Sequence, residues 1–147
     1  MKNYSSLIQL NTTVDKVLNA LTNEIPLWWT EMFEGSASKE NDRFTVRFGE
    51  SIYKTMIVRE LSGNSKVVWQ VTDSLIAVPG LEKQTEWINT TIIWEIAQRE
   101  DKTELLLTHI GLHPDIECYN ICIKGWQQFT DSLKLFIETG KGTPFKQ

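Results

Sequence analysis

The sequence predicts an α+β domain in which an antiparallel sheet packs against a long C-terminal helix. Segments that alternate between apolar and polar residues follow one another at regular spacing, as they do in an antiparallel meander. An amphipathic stretch of about 24 residues lies near the end of the chain. The length of 147 residues, with 41% hydrophobic and 23% charged residues, is typical of one globular domain.

The N-terminal part of the chain predicts one strand followed by two short helices. YSSLIQL (4–10) alternates and should form the first strand. In TTVDKVLNALTNE, Thr12 or Thr13 can cap a short helix, and Asp15 adds favourable negative charge to its first turn. This helix should end near Pro26, and IPLWWTEMF should add a further helical turn that carries a pair of tryptophans.

The central part of the chain predicts five more strands, which makes about six in all. They are RFTVRF (43–48), SIYKTMIVREL (51–61), VVWQVTD (67–73), TEWINTTIIWEIAQ (85–98) and TELLLTHIGL (103–112). SGNS and REDK, which separate some of these strands, are typical turn sequences. In the segment 85–98, alternation places Ile92, Trp94 and Ile96 on the covered face of the sheet, and Trp87 and Ile93 on its outer face.

The last predicted element is a helix over about residues 115 to 139. Pro114 and Asp115 are typical of a helix start, and Gly140 is typical of a helix end. At about 1.5 Å per residue, such a helix is roughly 36 Å long, enough to cross a whole sheet. Its apolar face consists of Tyr119, Cys122, Ile123, Trp126, Phe129, Leu133, Phe136 and Ile137.

HIGLHPDIECYNIC (109–122) contains both histidines and both cysteines of the chain. His109, His113, Cys118 and Cys122 are of the types that bind zinc, and the two cysteines have the i, i+4 spacing of neighbours on a helix. Packing is the simpler explanation, because cysteine is commonly buried as a small hydrophobic residue. We therefore expect packing here, with no metal and no cofactor, and keep a metal site and redox chemistry as alternatives.

Several classes of function are disfavoured by the composition. The net charge is −4 and the lysines and arginines are scattered, so we expect no nucleic-acid binding. The N-terminus lacks the apolar region of a signal peptide, and no apolar run approaches the roughly 20 residues of a membrane span. We expect a cytoplasmic protein with reduced thiols. Phosphate-binding glycine loops and nucleophile-elbow motifs are absent from the sequence, and no catalytic residue is assigned.

Four segments resemble the family of homologues of the heat-shock-protein-90 ATPase activator, within the START-like or SRPBCC superfamily. They are VDKVLNALTNEIPLWW, TEWINTTIIWEI, TELLLTHIGLHPDIECYNICIKGW and SLKLFIETGKGTPF. The resemblance extends over essentially the whole chain, as one domain of residues 1–147, and is to a bacterial single-domain subgroup. It implies a helix-grip fold, as in Bet v 1-like proteins: a curved antiparallel sheet wraps the C-terminal helix, two short helices follow the first strand, and a cavity lies between.

The resemblance also implies a function, because cavities of this superfamily hold lipids, sterols, polyketides or plant hormones. We expect a binding domain for an apolar or lipid-like small molecule, a view that six Trp and six Phe residues support. The residues expected to line the cavity are Trp28, Trp29, Phe48, Trp69, Trp94, Leu107, His109, Tyr119, Trp126 and Phe129.

Two alternatives remain open. A protein-interaction module, either a homodimer or a co-chaperone, would need an exposed apolar patch, which we expect around Trp87 and Ile93. The eukaryotic activator makes much of its chaperone contact through a separate N-terminal domain that we do not expect here. Some superfamily members are cyclases or hydrolases. An enzyme of that type would use His109 and Tyr119, with Glu117 third, because histidine can shuttle a proton and tyrosine can polarise a carbonyl.

Overall fold

The computed structural model describes residues 2–147, and its elements confirm the predicted α+β class. This part of the chain has seven strands, two α-helices and one 3₁₀ helix. The strands are β1 (Tyr4–Leu10), β2 (Phe33–Gly35), β3 (Arg43–Arg47), β4 (Ile52–Ser62), β5 (Lys66–Ile76), β6 (Thr91–Arg99) and β7 (Lys102–Ile110). The helices are α1 (Val14–Thr22), the 3₁₀ helix (Ile25–Leu27) and α2 (Tyr119–Thr139).

All seven strands form one antiparallel sheet in the order β1-β7-β6-β5-β4-β3-β2. Strands β2 to β7 form a meander, and β1 returns to pair with β7 over its whole length, from Tyr4 opposite His109 to Leu10 opposite Thr103. Two register irregularities, at Thr55/Met56 and at Val58/Glu60, interrupt the pairing of β4 with β5. Bulges of this kind bend a strand and increase its twist, which helps the sheet to curve around α2.

The segment between β1 and β2 is less helical than the sequence predicts. Thr13 caps α1, as expected, because its hydroxyl accepts a hydrogen bond from the Lys16 backbone N–H at 3.4 Å. The following turn is only the short 3₁₀ helix, and both tryptophans of the pair lie just beyond it. Trp28 is fixed by tertiary contacts instead, since its indole N–H donates to the Ala20 carbonyl at 2.8 Å. Strand β2, which the sequence did not predict, has three residues, too few for a visible alternation.

Helix α2 ends where the sequence predicts and begins later. Gly140 has the left-handed φ of 89° that a glycine readily adopts after a helix, and its N–H donates to the Phe136 carbonyl. The predicted start near residue 115 is wrong, because residues 113–118 form turns before the helix begins at Tyr119. The carboxylate of Glu86 accepts the backbone N–H groups of Glu117 and Cys118, each at 3.0 Å, and so satisfies donors that precede the helix.

The outer-face position predicted for Trp87 is also wrong. Strand β6 begins at Thr91, and Trp87 lies in the preceding turn, where it is only 3% exposed. Asn89 has a φ of 71°, which interrupts an extended strand, and its N–H donates to Val71 across the sheet. The indole of Trp87 is thereby turned towards the interior and not towards solvent. Ile93, in contrast, lies in the strand opposite Val68 and Thr108.

The core between the sheet and α2 contains a cluster of indole rings. Trp28, Trp69, Trp94 and Trp126 are all nearly or fully buried. Their rings stack or meet edge to face with centroids 5.6 Å apart for Trp69 and Trp94, and 5.7 Å apart for Trp94 and Trp126. Neither α-helix of residues 2–147 combines the length and the apolar character that crossing a bilayer requires.

Candidate ligand-binding pocket

A pocket of about 280 Å³ opens between α2 and the inner face of the sheet. Its walls come from α2, from β4, from the ends of β3 and β5, and from the turn before β6. The lining residues are Trp29, Phe48, Ile52, Lys54, Ile76, Trp87, Ile121, Cys122, Gly125, Trp126, Gln128, Phe129 and Phe145. Most of these side chains are apolar, and Lys54 is the one that carries a formal positive charge.

Helix α2 forms one wall because residues one turn apart lie on the same side of a helix. Cys122, Trp126 and Phe129 are buried, whereas Ile121 and Gln128 are exposed. Gly125 lies between them. A Cβ atom added at this glycine would meet no neighbouring atom within 4 Å, so the missing side chain leaves open space beside the pocket.

Aromatic rings form the opposite wall. The ring of Phe48 lies 6.3 Å from Trp29, 5.4 Å from Phe129 and 5.7 Å from Phe145, measured between centroids. Phe145 belongs to the C-terminal segment, which is held by a bridge to Thr30 and by a hydrogen bond from the Phe145 N–H to the Trp29 carbonyl at 2.9 Å. The C-terminal segment after α2 therefore forms part of the pocket wall.

Lys54 projects into this apolar pocket from the inner face of β4. Its ammonium lies 4.7 Å from the ring centroid of Phe48 and 4.5 Å from that of Trp87. The residue as a whole keeps some exposure, but the ammonium is closely surrounded by protein atoms, and this burial lowers the pKa of Lys54 to about 8. Within residues 2–147, no carboxylate lies close enough to form an ion pair with Lys54.

Two free thiols lie together beside Lys54. The sulfur of Cys122 is 2.6 Å from that of Cys118, and the indole N–H of Trp87 donates to Cys122 at 3.1 Å. The hydrogen bond between the two thiols lowers the pKa of Cys122, with a smaller contribution from the Lys54 ammonium, and the same bond raises the pKa of Cys118. Of the two, Cys122 borders the pocket.

His109 lies behind the pocket and holds its aromatic wall in place. The indole of Trp126 donates to His109 Nδ1 at 3.0 Å, so the proton of the neutral ring is on Nε2, which lies 2.9 Å from the Thr90 hydroxyl. Thr90 in turn donates to the carbonyl of Trp87 at 2.6 Å. His109 is fully buried, and this burial lowers its pKa to about 3, so the imidazole is neutral at physiological pH.

Four of the ten residues that the sequence predicts for a cavity border this pocket: Trp29, Phe48, Trp126 and Phe129. Five others, Trp28, Trp69, Trp94, Leu107 and His109, are buried in the core outside its lining, and Tyr119 is half-buried at the start of α2. The sequence interpretation missed Lys54. Its signal was the alternation in SIYKTMIV, where Lys54 shares a face with Ile52 and Met56.

The structure does not bring the two histidines and the two cysteines together as one metal site. In residues 2–147, histidine, cysteine, aspartate and glutamate side chains form no group of three or more that could hold a metal ion. Both nitrogens of His109 have protein partners, and His113 accepts a hydrogen bond from the Asp115 N–H. Of the residues considered for an enzyme, Glu117 is exposed and accepts a hydrogen bond from the Lys83 N–H, away from His109 in the core.

Comparison with solved structures supports the fold. The solution structure of the Aha1 dimer from Colwellia psychrerythraea is 27% identical, with a TM-score of 0.76 over 97% of this chain and 100% of that chain. DynU16, a protein from the dynemicin biosynthetic locus, is 17% identical with a TM-score of 0.73, and the match covers 97% of this chain and 49% of DynU16. Protein MLL2253 from Mesorhizobium loti is 16% identical, with a TM-score of 0.71 over 91% and 96% of the two chains.

Comparison with sequences supports the family. No curated protein sequence gives a significant match. The family model described as Activator of Hsp90 ATPase homolog 1-like protein matches residues 11–138. In the described part of the chain, this range includes all strands except β1 and all helices except the last residue of α2. The helix-grip arrangement and this match confirm the resemblance noted in the sequence, and the chain belongs to the Activator of Hsp90 ATPase homolog 1-like family.

Proposed function

We propose that this protein binds an apolar small molecule in the pocket between α2 and the sheet. The observation that carries the proposal is the space left at Gly125, beside aromatic side chains that elsewhere fill the core closely. A volume of about 280 Å³ is just below the range for small-molecule sites, about 300–1,000 Å³, and so suits a compact ligand. The predominantly apolar lining favours ligands that are largely hydrocarbon or aromatic.

The proposal is tested by filling the open space. Gly125→Leu places a branched side chain beside the pocket and should obstruct it, whereas Gly125→Ala adds one methyl group that meets no neighbour. The probe is Nile red, a neutral dye whose emission depends on its environment. We expect saturable binding of one dye per chain, at least tenfold weaker in Gly125→Leu and within about twofold of wild type in Gly125→Ala. Absence of saturable binding, or equal binding in Gly125→Leu, would contradict the proposal.

We also propose that the chain forms a homodimer, because the similar protein from Colwellia psychrerythraea was solved as a dimer. The proposed contact is an apolar group on the outer face of the sheet, here called the outer-face patch, formed by Leu7, Leu106 and Ile110. Leu7 is 56% exposed and Ile110 is 43% exposed, while Leu106 pairs with Leu7. Chaperone contact and cytoplasmic location stay predictions.

A further inference from the structure

We propose that the pocket receives an amphiphile with an anionic head group, of the class of small monocarboxylic acids, and that Lys54 is the counter-ion of its carboxylate. The proposal rests on the proposed function, because it requires that the pocket binds a small molecule. It adds the chemistry of the ligand's polar end, the orientation of the ligand and the residue that selects it.

The first argument is the unfavourable free energy of burying the Lys54 ammonium without a counter-ion. An ammonium removed from water is unfavourable unless it is paired, and the described residues offer Lys54 no carboxylate. Its two ring contacts, with Phe48 and Trp87, compensate only in part, since each such contact stabilises by about 0.5–2 kcal/mol. A methionine would fill the same position on the inner face of β4 without this cost, so an anion from outside the protein is the missing partner.

The second argument is the set of titratable groups that face Lys54. Cys122 approaches it from α2, Cys118 from the turn before α2, and His109 from β7. His109 is neutral and has both nitrogens occupied by protein partners. The Cys122 sulfur accepts a hydrogen bond from the Trp87 indole and is hydrogen-bonded to the Cys118 sulfur, and in its thiolate form it is the competing counter-ion inside the protein. Replacement of Cys122 therefore distinguishes the two possible counter-ions of Lys54, an anionic ligand and the Cys122 thiolate.

The third argument is the division of the pocket into two parts. Trp29, Trp126 and Phe129 supply a wall of aromatic rings, whereas the cationic group is on the β4 side, against Phe48 and Trp87. A carboxylate on Lys54 would leave the hydrocarbon part of the same molecule against these rings. Charged ligands without an apolar body would gain little from the aromatic wall, and neutral ligands would leave the ammonium unpaired.

The test compares octanoic acid with 1-octanol, which differ at the head group, by displacement of Nile red at pH 7. We expect the wild type to bind the acid about 10- to 100-fold more tightly than the alcohol, the range of one charge-assisted hydrogen bond. Lys54→Met should remove this preference and melt at a higher temperature. Lys54→Arg, which keeps the charge, should retain part of the preference, and Cys122→Ala should retain all of it.

The pH dependence gives an independent measurement on the unmodified protein. The carboxylate of octanoic acid is ionised throughout the range from pH 6 to pH 10. In the protein without ligand, the Lys54 ammonium loses its proton near pH 8. A bound anion raises the pKa of the lysine, so the acid preference should be constant from pH 6 to about 7.5 and should decline above about pH 8 to 9. The affinity for 1-octanol should change little over the same range.

The outcomes separate the inference from the proposed function. Saturable Nile red binding together with equal affinity for acid and alcohol would overturn the role of Lys54 and leave the binding pocket intact. A preference for the acid that survives in Lys54→Met would also overturn the role of Lys54. Loss of the preference in Cys122→Ala would show that the preference depends on the Cys122 thiol and would likewise overturn that role. Failure of Nile red to bind would overturn both proposals. A poorly folded Lys54→Met leaves the decision to Lys54→Arg and to the pH dependence of the wild type.

Discussion

At the scale of single residues, His109 makes the folded protein sensitive to acid. Burial lowers its pKa to about 3, against an ordinary value of 6.5 in the unfolded chain. Between these two values the unfolded state binds the additional proton, so the free energy of unfolding falls as the pH falls. The loss is at most about 1.4 kcal/mol per pH unit, and from pH 7 to pH 5 we expect about 2 kcal/mol from His109 alone.

Urea denaturation at several pH values measures this loss. His109→Gln serves as the comparison, because glutamine is polar and does not titrate, and we expect its stability to change less between pH 7 and pH 5. The two proteins should differ in pH slope even where the variant is less stable overall at pH 7. An identical slope in both proteins would show that the acid sensitivity comes from other groups.

Among the residues of the pocket, four of the six aromatic ones could be predicted from the sequence, whereas Trp87, Phe145 and Lys54 could not. Trp29, Phe48 and Trp126 were candidates because large rings on covered faces favour a cavity wall. Lys54 was missed because a single lysine in a strand is ordinarily solvated, and its inward direction depends on the register of β4. The hydrogen bonds of His109 depend on three separate segments of chain, which no local pattern reveals.

At the scale of elements, two glycines should respond oppositely to the same substitution. Gly125 lies in the middle of α2 without steric restriction, so Gly125→Ala should raise the free energy of unfolding by about 0.5–1 kcal/mol. Gly111 has a φ of 103°, and an added Cβ would lie 2.6 Å from Cγ2 of Thr90. Gly111→Ala should therefore destabilise by more than about 1 kcal/mol. Thermal or chemical unfolding of both variants checks the pair, and effects of the same sign would contradict it.

The accuracy of the predicted elements follows the range of the interactions that define them. Alternation identified six strands, and helical periodicity identified α2 up to Gly140, because both patterns are local. The start of α2 depends on Glu86, more than 30 residues away in sequence from the N–H groups that it binds. The turn that brings Trp87 inward depends on the left-handed backbone of Asn89, which a helix or strand period does not predict.

At the scale of the whole molecule, self-association is tested by sedimentation velocity over a range of concentrations. We expect the wild type to form a dimer, and Leu7→Lys to be monomeric, because the substitution places a charge in the outer-face patch. Leu27→Lys is the matched control, since Leu27 is 50% exposed in the 3₁₀ helix. A monomeric wild type at all concentrations, or a dimer that persists in Leu7→Lys, would contradict the proposed contact.

The packing of the indoles also determines how this protein would respond to light. Neighbouring rings lie 5.5–5.9 Å apart along the series Trp28, Trp29, Trp69, Trp94, Trp126 and Trp87, which includes every tryptophan of the chain. Excitation absorbed by one ring can migrate through this array before emission. Three of the six rings border the pocket. A quencher bound there would therefore reduce the fluorescence of the whole array and not only that of the rings that it contacts. The intrinsic fluorescence of the protein should therefore behave as one collective reporter of the occupied pocket.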